Sequence, residues 1–212
     1  MTARMRLLSL LLFAATINAQ TTDQRVEQIL RSMTLEEKVG QLTQYVPDED
    51  EFSEAMATGR IGSILNARVQ QANEYQRVTI MGSRQKIPLL IGSDVIHGYK
   101  TIFPIPLAIA SSWDPSLAEL SARVAAREAR AAGIAWTFAP MVDIARDARW
   151  GRISEGAGED PYLGSLMAAG YVRGFQGDFG TESLLATAKH FAAYGAPEGG
   201  RDYGPVRCRS RR

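Results

Sequence analysis

Short apolar runs, each ended by a polar residue and separated from the next by a helix-like segment, constrain the fold of this chain more than any other feature. Residues 63–65 run into Asn66, 89–93 into Asp94, 138–142 into Asp143, and 185–188 into Lys189 and His190. The runs are too short for helices and show little in–out alternation, which argues for strands covered on both faces in a parallel sheet. A (β/α)8 barrel and an open doubly wound sheet both satisfy that pattern. The polar strand ends favour the barrel, because there such positions converge on one mouth. Taken singly, any one of them reads as a turn or a helix cap.

The intervening segments carry helix signals. Val26, Ile29, Leu30 and Met33 fall at helical spacing within 23–33. Thr34 and Glu37 have the spacing of a capping box that opens a helix through Val39 and Leu42. A polar helix is expected at 70–84. A longer one is capped by Asp114, runs through Ala132 and is stopped by Gly133; another starts at Asp160, with Pro161 at its first position, and reaches Phe175. Residues 101–113 read as a Pro-containing loop. About four or five β/α units result, against eight in the roughly 250 residues of a full barrel. The expected fold is therefore α/β, an incomplete (β/α)8 barrel comprising roughly the first half.

The start and the end of the chain stand apart from that pattern. Arg4 and Arg6, an apolar stretch over 7–17 and a small residue at Ala19 make 1–19 a cleavable signal peptide in expectation, with export to the periplasm or the medium. Residues 20–206 are the partial barrel domain. Residues 207–212, four of them Arg and one the only Cys, form a basic tail that reads as the product of a shifted frame or a miscalled gene end. A tail that recruits an anionic partner is the alternative.

Composition narrows the partners. Of 212 residues, 24 are Lys or Arg and 23 Asp or Glu, a net charge of +1. That balance gives no support to nucleic acid or a membrane surface as partner and fits a small neutral solute. A single Cys excludes an intramolecular disulfide, and two distant His give no metal-ligand pair. Residues 156–161 start like a dinucleotide loop but lack the third Gly; no P-loop and no Gly-x-Ser-x-Gly elbow occur, so no cofactor is expected.

Three segments carry candidate chemistry. Asp94 at a strand end, beside Gly92, suits hydrogen bonding to adjacent hydroxyls; His97 can do likewise or serve the loop. Between Asp143 and Arg152, three Arg (Arg146, Arg149, Arg152) and two Asp (Asp143, Asp147) can form an ion-pair network under a pocket. Trp150 there can face a sugar ring or pack in the core. Lys189 and His190 follow an apolar strand directly, and an unpaired ammonium there would be costly. Glu155 reads as an ion-pair partner and Asp160 as a helix cap.

The stretches MTLEEKVGQLTQ, IPLLIGSDVIHG, IFPIPLAIASSWD, FAPMVDIARDARWGRISEGAGEDPYL and ATAKHFAAYGAPEGGRDY together resemble the N-terminal domain of glycoside hydrolase family 3. The resemblance implies a barrel, retaining and exo-acting hydrolysis of β-glucosides or oligosaccharides, and no metal or cofactor. It implies that Asp94, Arg152, Lys189 and His190 hold the sugar at the cleavage point, with His97, Asp143, Arg149 and Trp150 as candidates behind them. Lys-His-Phe-Ala-Ala-Tyr-Gly over 189–195 departs from the Lys-His-Phe-Pro-Gly-His-Gly of the family's hexosaminidases, which points to a glucosidase. The family's two catalytic carboxylates, about 5–5.5 Å apart in retaining enzymes, are expected beyond residue 212. The chain is therefore expected to bind sugar without turning it over. A non-catalytic sugar-binding or assembly module is the rival reading, and β-xylosidase or exo-glucanase the rival specificity.

Overall fold

The computed structural model describes residues 20–47, 51–67 and 69–206; the expected signal peptide 1–19 and basic tail 207–212 lie outside the described residues. The chain divides into two units, one ending at Thr34 and one beginning at Leu35. The first contains helix α1 (Thr22–Ser32). A capping box starts it: Thr21 Oγ1 accepts from the Gln24 amide at 3.2 Å, and Gln24 Oε1 accepts from the Thr21 amide at 3.0 Å.

The second unit is an α/β fold on a parallel sheet. Its helices are α2 (Leu35–Gln41), α3 (Phe52–Thr58), α4 (Val69–Gly82), α5 (Pro106–Ala110), α6 (Pro115–Ala131) and α7 (Pro161–Gln176). The strands are β1 (Gln44–Tyr45), β2 (Ser63–Leu65), β3 (Leu90–Ser93), β4 (Trp136–Thr137) and β5 (Leu185–Ala186). They lie side by side in sequence order, every pair parallel. A doubly wound sheet reverses its strand order at a switch point; this sheet runs β1 to β5 without reversal. Among the described residues no helix is long and apolar enough to cross a membrane.

Local chemistry explains the two long helices. Asp114 Oδ1 accepts from the Ser116 amide at 2.9 Å and Asp160 Oδ1 from the Leu163 amide at 2.6 Å, each followed by a proline whose missing N–H costs the first turn nothing. Glu37, expected to reach back in a capping box, also receives Arg84 Nε at 3.0 Å and Gln85 Nε2 at 3.2 Å. The expected loop 101–113 contains the short helix α5, opened by Pro106. The strand expected to run into Asp143 is not continuous: β4 ends at Thr137, Pro140 has no N–H to donate, and pairing resumes as a single parallel bridge between Met141 and Lys189.

The main core lies between β3, β4, β5 and the two long helices. Five alanines of α6 (Ala118, Ala122, Ala125, Ala126, Ala129) meet Leu163, Met167, Tyr171 and Phe175 of α7, with Val95, Ile134 and Leu184 beneath. A second cluster joins α3, β2 and α4 around Phe52, Ile61, Ile64 and Leu89. A third and smaller one, Met141, Ala145 and Trp150, sits below the loops that follow β4.

Candidate functional site

The site is built where the strands end. Asp94 leaves β3 at Ser93, and its neighbour Val95 is fully buried. The Val95 amide donates to Thr137 Oγ1 at 3.0 Å, and the same hydroxyl lies 3.4 Å from the Val95 carbonyl, so the turn after Asp94 is fixed from β4. Gly92 permits this close packing: a Cβ there would stand 2.9 Å from the Phe138 ring. The Asp94 carboxylate, half-exposed, accepts from Lys189 Nζ at 2.7 Å. Lys189 is mostly buried, so its ammonium is paired where an unpaired charge would be most costly.

Backbone pairing then brings a second carboxylate to His190. The Val142 amide donates to the Lys189 carbonyl at 2.7 Å and the Lys189 amide to the Pro140 carbonyl at 3.0 Å. These bonds set Asp143 beside His190. The Asp143 side chain is 1% exposed, and its Oδ2 accepts from the His190 amide at 3.0 Å and from His190 Nδ1 at 2.7 Å. An ionised carboxylate only accepts, so the proton on that side of the ring belongs to Nδ1, and Nε2 is the imidazole's remaining hydrogen-bonding atom.

Arg152 belongs to the 3-10 turn Gly151–Glu155. Its Nε and Nη2 donate to the two oxygens of Glu155, both at 2.7 Å, a bidentate clamp. The hydrogen bonds from Glu155 raise the guanidinium's pKa further above its ordinary value, against the cost of partial burial. The guanidinium carbon lies 5.3 Å from the centroid of the Tyr194 ring. That ring stands edge-to-face with His190 at 4.7 Å and with Trp150 at 5.3 Å. Tyr194 Oη donates to Asp202 Oδ1 at 2.7 Å, and Trp150 Nε1 donates to the same oxygen at 2.9 Å. The Trp150 and Tyr194 hydrogen bonds hold the Asp202 carboxyl below its usual range, while burial, aided by Asp202, pushes the Tyr194 phenol up. Tyr194 therefore keeps its proton and Asp202 its charge.

Asp94 is thus paired with Lys189, the next residue His190 is paired with Asp143, and the Tyr194 ring touches both His190 and Arg152, which Glu155 clamps. The other candidates serve elsewhere. His97 Nδ1 stands 3.3 Å from the Phe103 carbonyl oxygen, within its own loop. Trp150 is 1% exposed, so of its two readings the core one holds and its face meets no ligand. Arg149 turns onto Asp147, which accepts from its amide, Nε and Nη2. The expected single network over 143–152 is therefore three separate pairings: Asp143 with His190, Asp147 with Arg149, and Arg152 with Glu155. Tyr194, Asp202 and Thr137 carry no sequence signal of a site role; their parts come from contacts with residues 42 and 52 positions away or across a loop.

Among the described residues no group of His, Cys, Asp and Glu could hold a metal ion. What the arrangement offers is alternating donors and acceptors on held side chains, suited to a neutral ligand rich in hydroxyls.

Comparison with known proteins bears on what that ligand is. The family described as Glycosyl hydrolase family 3 N terminal domain matches residues 34–212. A periplasmic beta-glucosidase of Salmonella typhimurium is 41% identical over 203 residues, covering 92% of this chain and 26% of that protein. A beta-xylosidase of Formosa agariphila is 34% identical over 189 residues, covering 84% of this chain and 23% of that protein. The crystal structure of a Listeria innocua beta-glucosidase in complex with glucose superposes with a TM-score of 0.79 at 38% identity, over 87% of this chain and 29% of that one. The chain spans about a quarter of the length of the curated relatives it matches.

Proposed function

This chain belongs to glycosyl hydrolase family 3, and on that premise we propose that its site holds the terminal sugar of a β-glucoside for retaining, exo-acting hydrolysis. The five-stranded sheet is then the first part of a (β/α)8 barrel, and the site lies at the carboxyl ends of its strands, where barrel active sites are found. The observation that carries the reading is the paired pair: Asp94 bound to Lys189 at 2.7 Å beside His190 bound to Asp143 at 2.7 Å. Asp94 and Lys189 present an acceptor and a donor at hydrogen-bonding distance, the spacing that vicinal hydroxyls require. His190 Nε2 and the guanidinium of Arg152 extend the same row.

The carboxylates described in the site are each held by partners: Asp94 by Lys189, Asp143 by His190, Glu155 by Arg152, and Asp202 by Trp150 and Tyr194. A retaining glycosidase needs one carboxylate free to attack the anomeric carbon and another that can donate a proton to the leaving oxygen. On this reading these four bind or position the sugar, and the reacting pair comes from outside them. Export is the matching location: the pattern over 1–19 supports it, as does the periplasmic relative.

Calorimetry of the 212-residue chain with D-glucose tests this. Binding in about the millimolar range, suited to a small neutral ligand on an open site, is expected, and Asp94→Ala should abolish it. No heat with glucose, or heat that Asp94→Ala leaves unchanged, refutes the reading. Hydrolysis of an aryl β-glucoside by the chain, lost in Asp94→Ala, would move the chemistry into the described residues. The likeness to a beta-xylosidase supports one alternative specificity; D-xylose binding more tightly than glucose would favour it.

A further inference from the structure

The sugar-binding side chains do not hold themselves in place, and the residue that orders two of them lies outside their row. We infer that Asp202 is a positioning residue for this site, acting through Tyr194 on Arg152 and His190; the inference rests on the sugar-binding reading above.

The argument starts at Trp150. Its indole is buried against Met141 and Ala145, so its Nε1–H is a fixed point and requires a partner. Asp202 Oδ1 supplies it at 2.9 Å, and that bond anchors an exposed carboxylate that would otherwise sample many rotamers. The same oxygen accepts from Tyr194 Oη at 2.7 Å. Two donors on one oxygen fix the Tyr194 ring by its far end, while its sides contact Trp150, His190 and Arg152. The ring sets the Arg152 guanidinium by a cation–π contact at 5.3 Å and the His190 imidazole by an edge contact at 4.7 Å. Glu155 fixes Arg152 from the other side and Asp143 fixes His190, so each sugar-facing group has two supports, one of them shared. Without Asp202 the shared support turns about its χ angles and both groups lose it together. A side chain held in the bound geometry beforehand binds more tightly than one ordered on binding.

The test uses the 212-residue chain with Asp202→Ala, Asp202→Asn, Tyr194→Phe and the double variant Asp202→Ala/Tyr194→Phe. Glucose affinity is read by calorimetry, and the Arg152 Nε–H, Trp150 Nε1–H and His190 ring signals by NMR. Asp202→Ala and Tyr194→Phe should each weaken glucose about tenfold and shift the Arg152 and His190 signals. The double variant should bind no more weakly than the worse single one, because both cut the same link. Asp202→Asn keeps one acceptor oxygen and should stay within about threefold of the original chain.

The inference is overturned if glucose binds and Asp202→Ala matches the original chain with unmoved Arg152 and His190 signals. It is overturned equally if Asp202→Asn loses as much as Asp202→Ala, since charge rather than placement would then be at work. If Asp202→Ala does not fold, Tyr194→Phe and Asp202→Asn decide by the same criteria. If the original chain gives no heat with glucose, the sugar reading fails and the NMR signals alone decide the positioning claim. Shifts in Asp202→Ala that Asp202→Asn restores would uphold it.

Discussion

Where α6 and α7 come closest the contact is made of alanine and glycine. Ala118 faces Gly170 and Ala122 faces Gly174, and the helices approach until backbone meets backbone. Around Tyr194 the neighbours are instead Asp202, Trp150, His190 and Arg152, joined by hydrogen bonds and ring contacts on loops that bury little. At that closest approach there is no adjustable part, because Ala and Gly have no rotamers to change. The loop cluster consists of adjustable parts, each restrained by its partners. The first arrangement concentrates stability; the second leaves polar groups accessible to a ligand while limiting how far they wander. The same kind of substitution should therefore cost stability in one region and binding in the other.

Gly174→Ala gives the largest expected effect. In a helix interior Ala is preferred over Gly by about 1 kcal/mol. Here a Cβ would lie 2.3 Å from the Glu119 carbonyl oxygen and 2.6 Å from the Ala122 Cβ, so the helices must separate. The expected outcome in denaturant unfolding is a net loss of about 2–3 kcal/mol. Gly151→Ala beside the site meets no atom within 4 Å and should stay within about 0.5 kcal/mol. Equal losses at the two positions would erase the contrast.

The next effect separates the regions by pH. Burial in the α6–α7 core, where its hydroxyl has no hydrogen-bond partner among the described residues, pushes the Tyr171 phenol up to about 12. A pKa raised in the folded state means that the unfolded chain gives up the proton first. The stability this group contributes is therefore complete below about pH 10 and is lost as pH rises through about 12, to a total of about 3 kcal/mol. Unfolding midpoints taken from pH 8 to pH 11.5 should fall less steeply in Tyr171→Phe than in the original chain. Tyr194 is also raised but is far more exposed, so Tyr194→Phe should leave the alkaline slope close to unchanged.

How much of each region could be read from sequence follows from the same contrast. The helix pair was legible because its signals are local: Asp114 and Asp160 cap, Pro115 and Pro161 start, and the alanines recur at helical spacing. The polar strand ends were legible too, and they led to Asp94, Lys189 and His190. Strand β1 was not, since two residues carry no period and Gln44 and Tyr45 are set by register against Ser63 and Ile64. Helix α5 was missed because five residues inside a proline-rich stretch resemble a loop. Asp202 was beyond sequence pattern altogether: its partner Trp150 lies 52 positions away, and loop-to-loop hydrogen bonds have no spacing rule. For Trp150 the sequence allowed a sugar face but favoured core packing, the commoner fate of a lone Trp, and its burial agrees with the core reading.

The smallest effect is expected at Arg149, which tests whether the loop region's order comes from linkage or merely from its density of charge. Arg149 grips Asp147 with three hydrogen bonds and holds that carboxyl down to about 2. A lowered folded pKa contributes stability that is present above the ordinary carboxylate range and lost as pH falls through about 2. Both side chains face solvent, however, and exposed pairs of this kind are screened. Neither residue touches Tyr194 or Asp202 through any hydrogen bond or ring contact described above. Arg149→Ala, which unpairs Asp147, should therefore leave the thermal midpoint at neutral pH and the glucose affinity unchanged within measurement, while Asp202→Ala does not. Loss of glucose affinity in Arg149→Ala equal to that in Asp202→Ala would mean that net positive charge near the site matters and the Trp150–Asp202–Tyr194 connection does not. Agreement with expectation would assign the difference between the two loop aspartates, Asp147 and Asp202, to one property: which of them is tied to a buried indole.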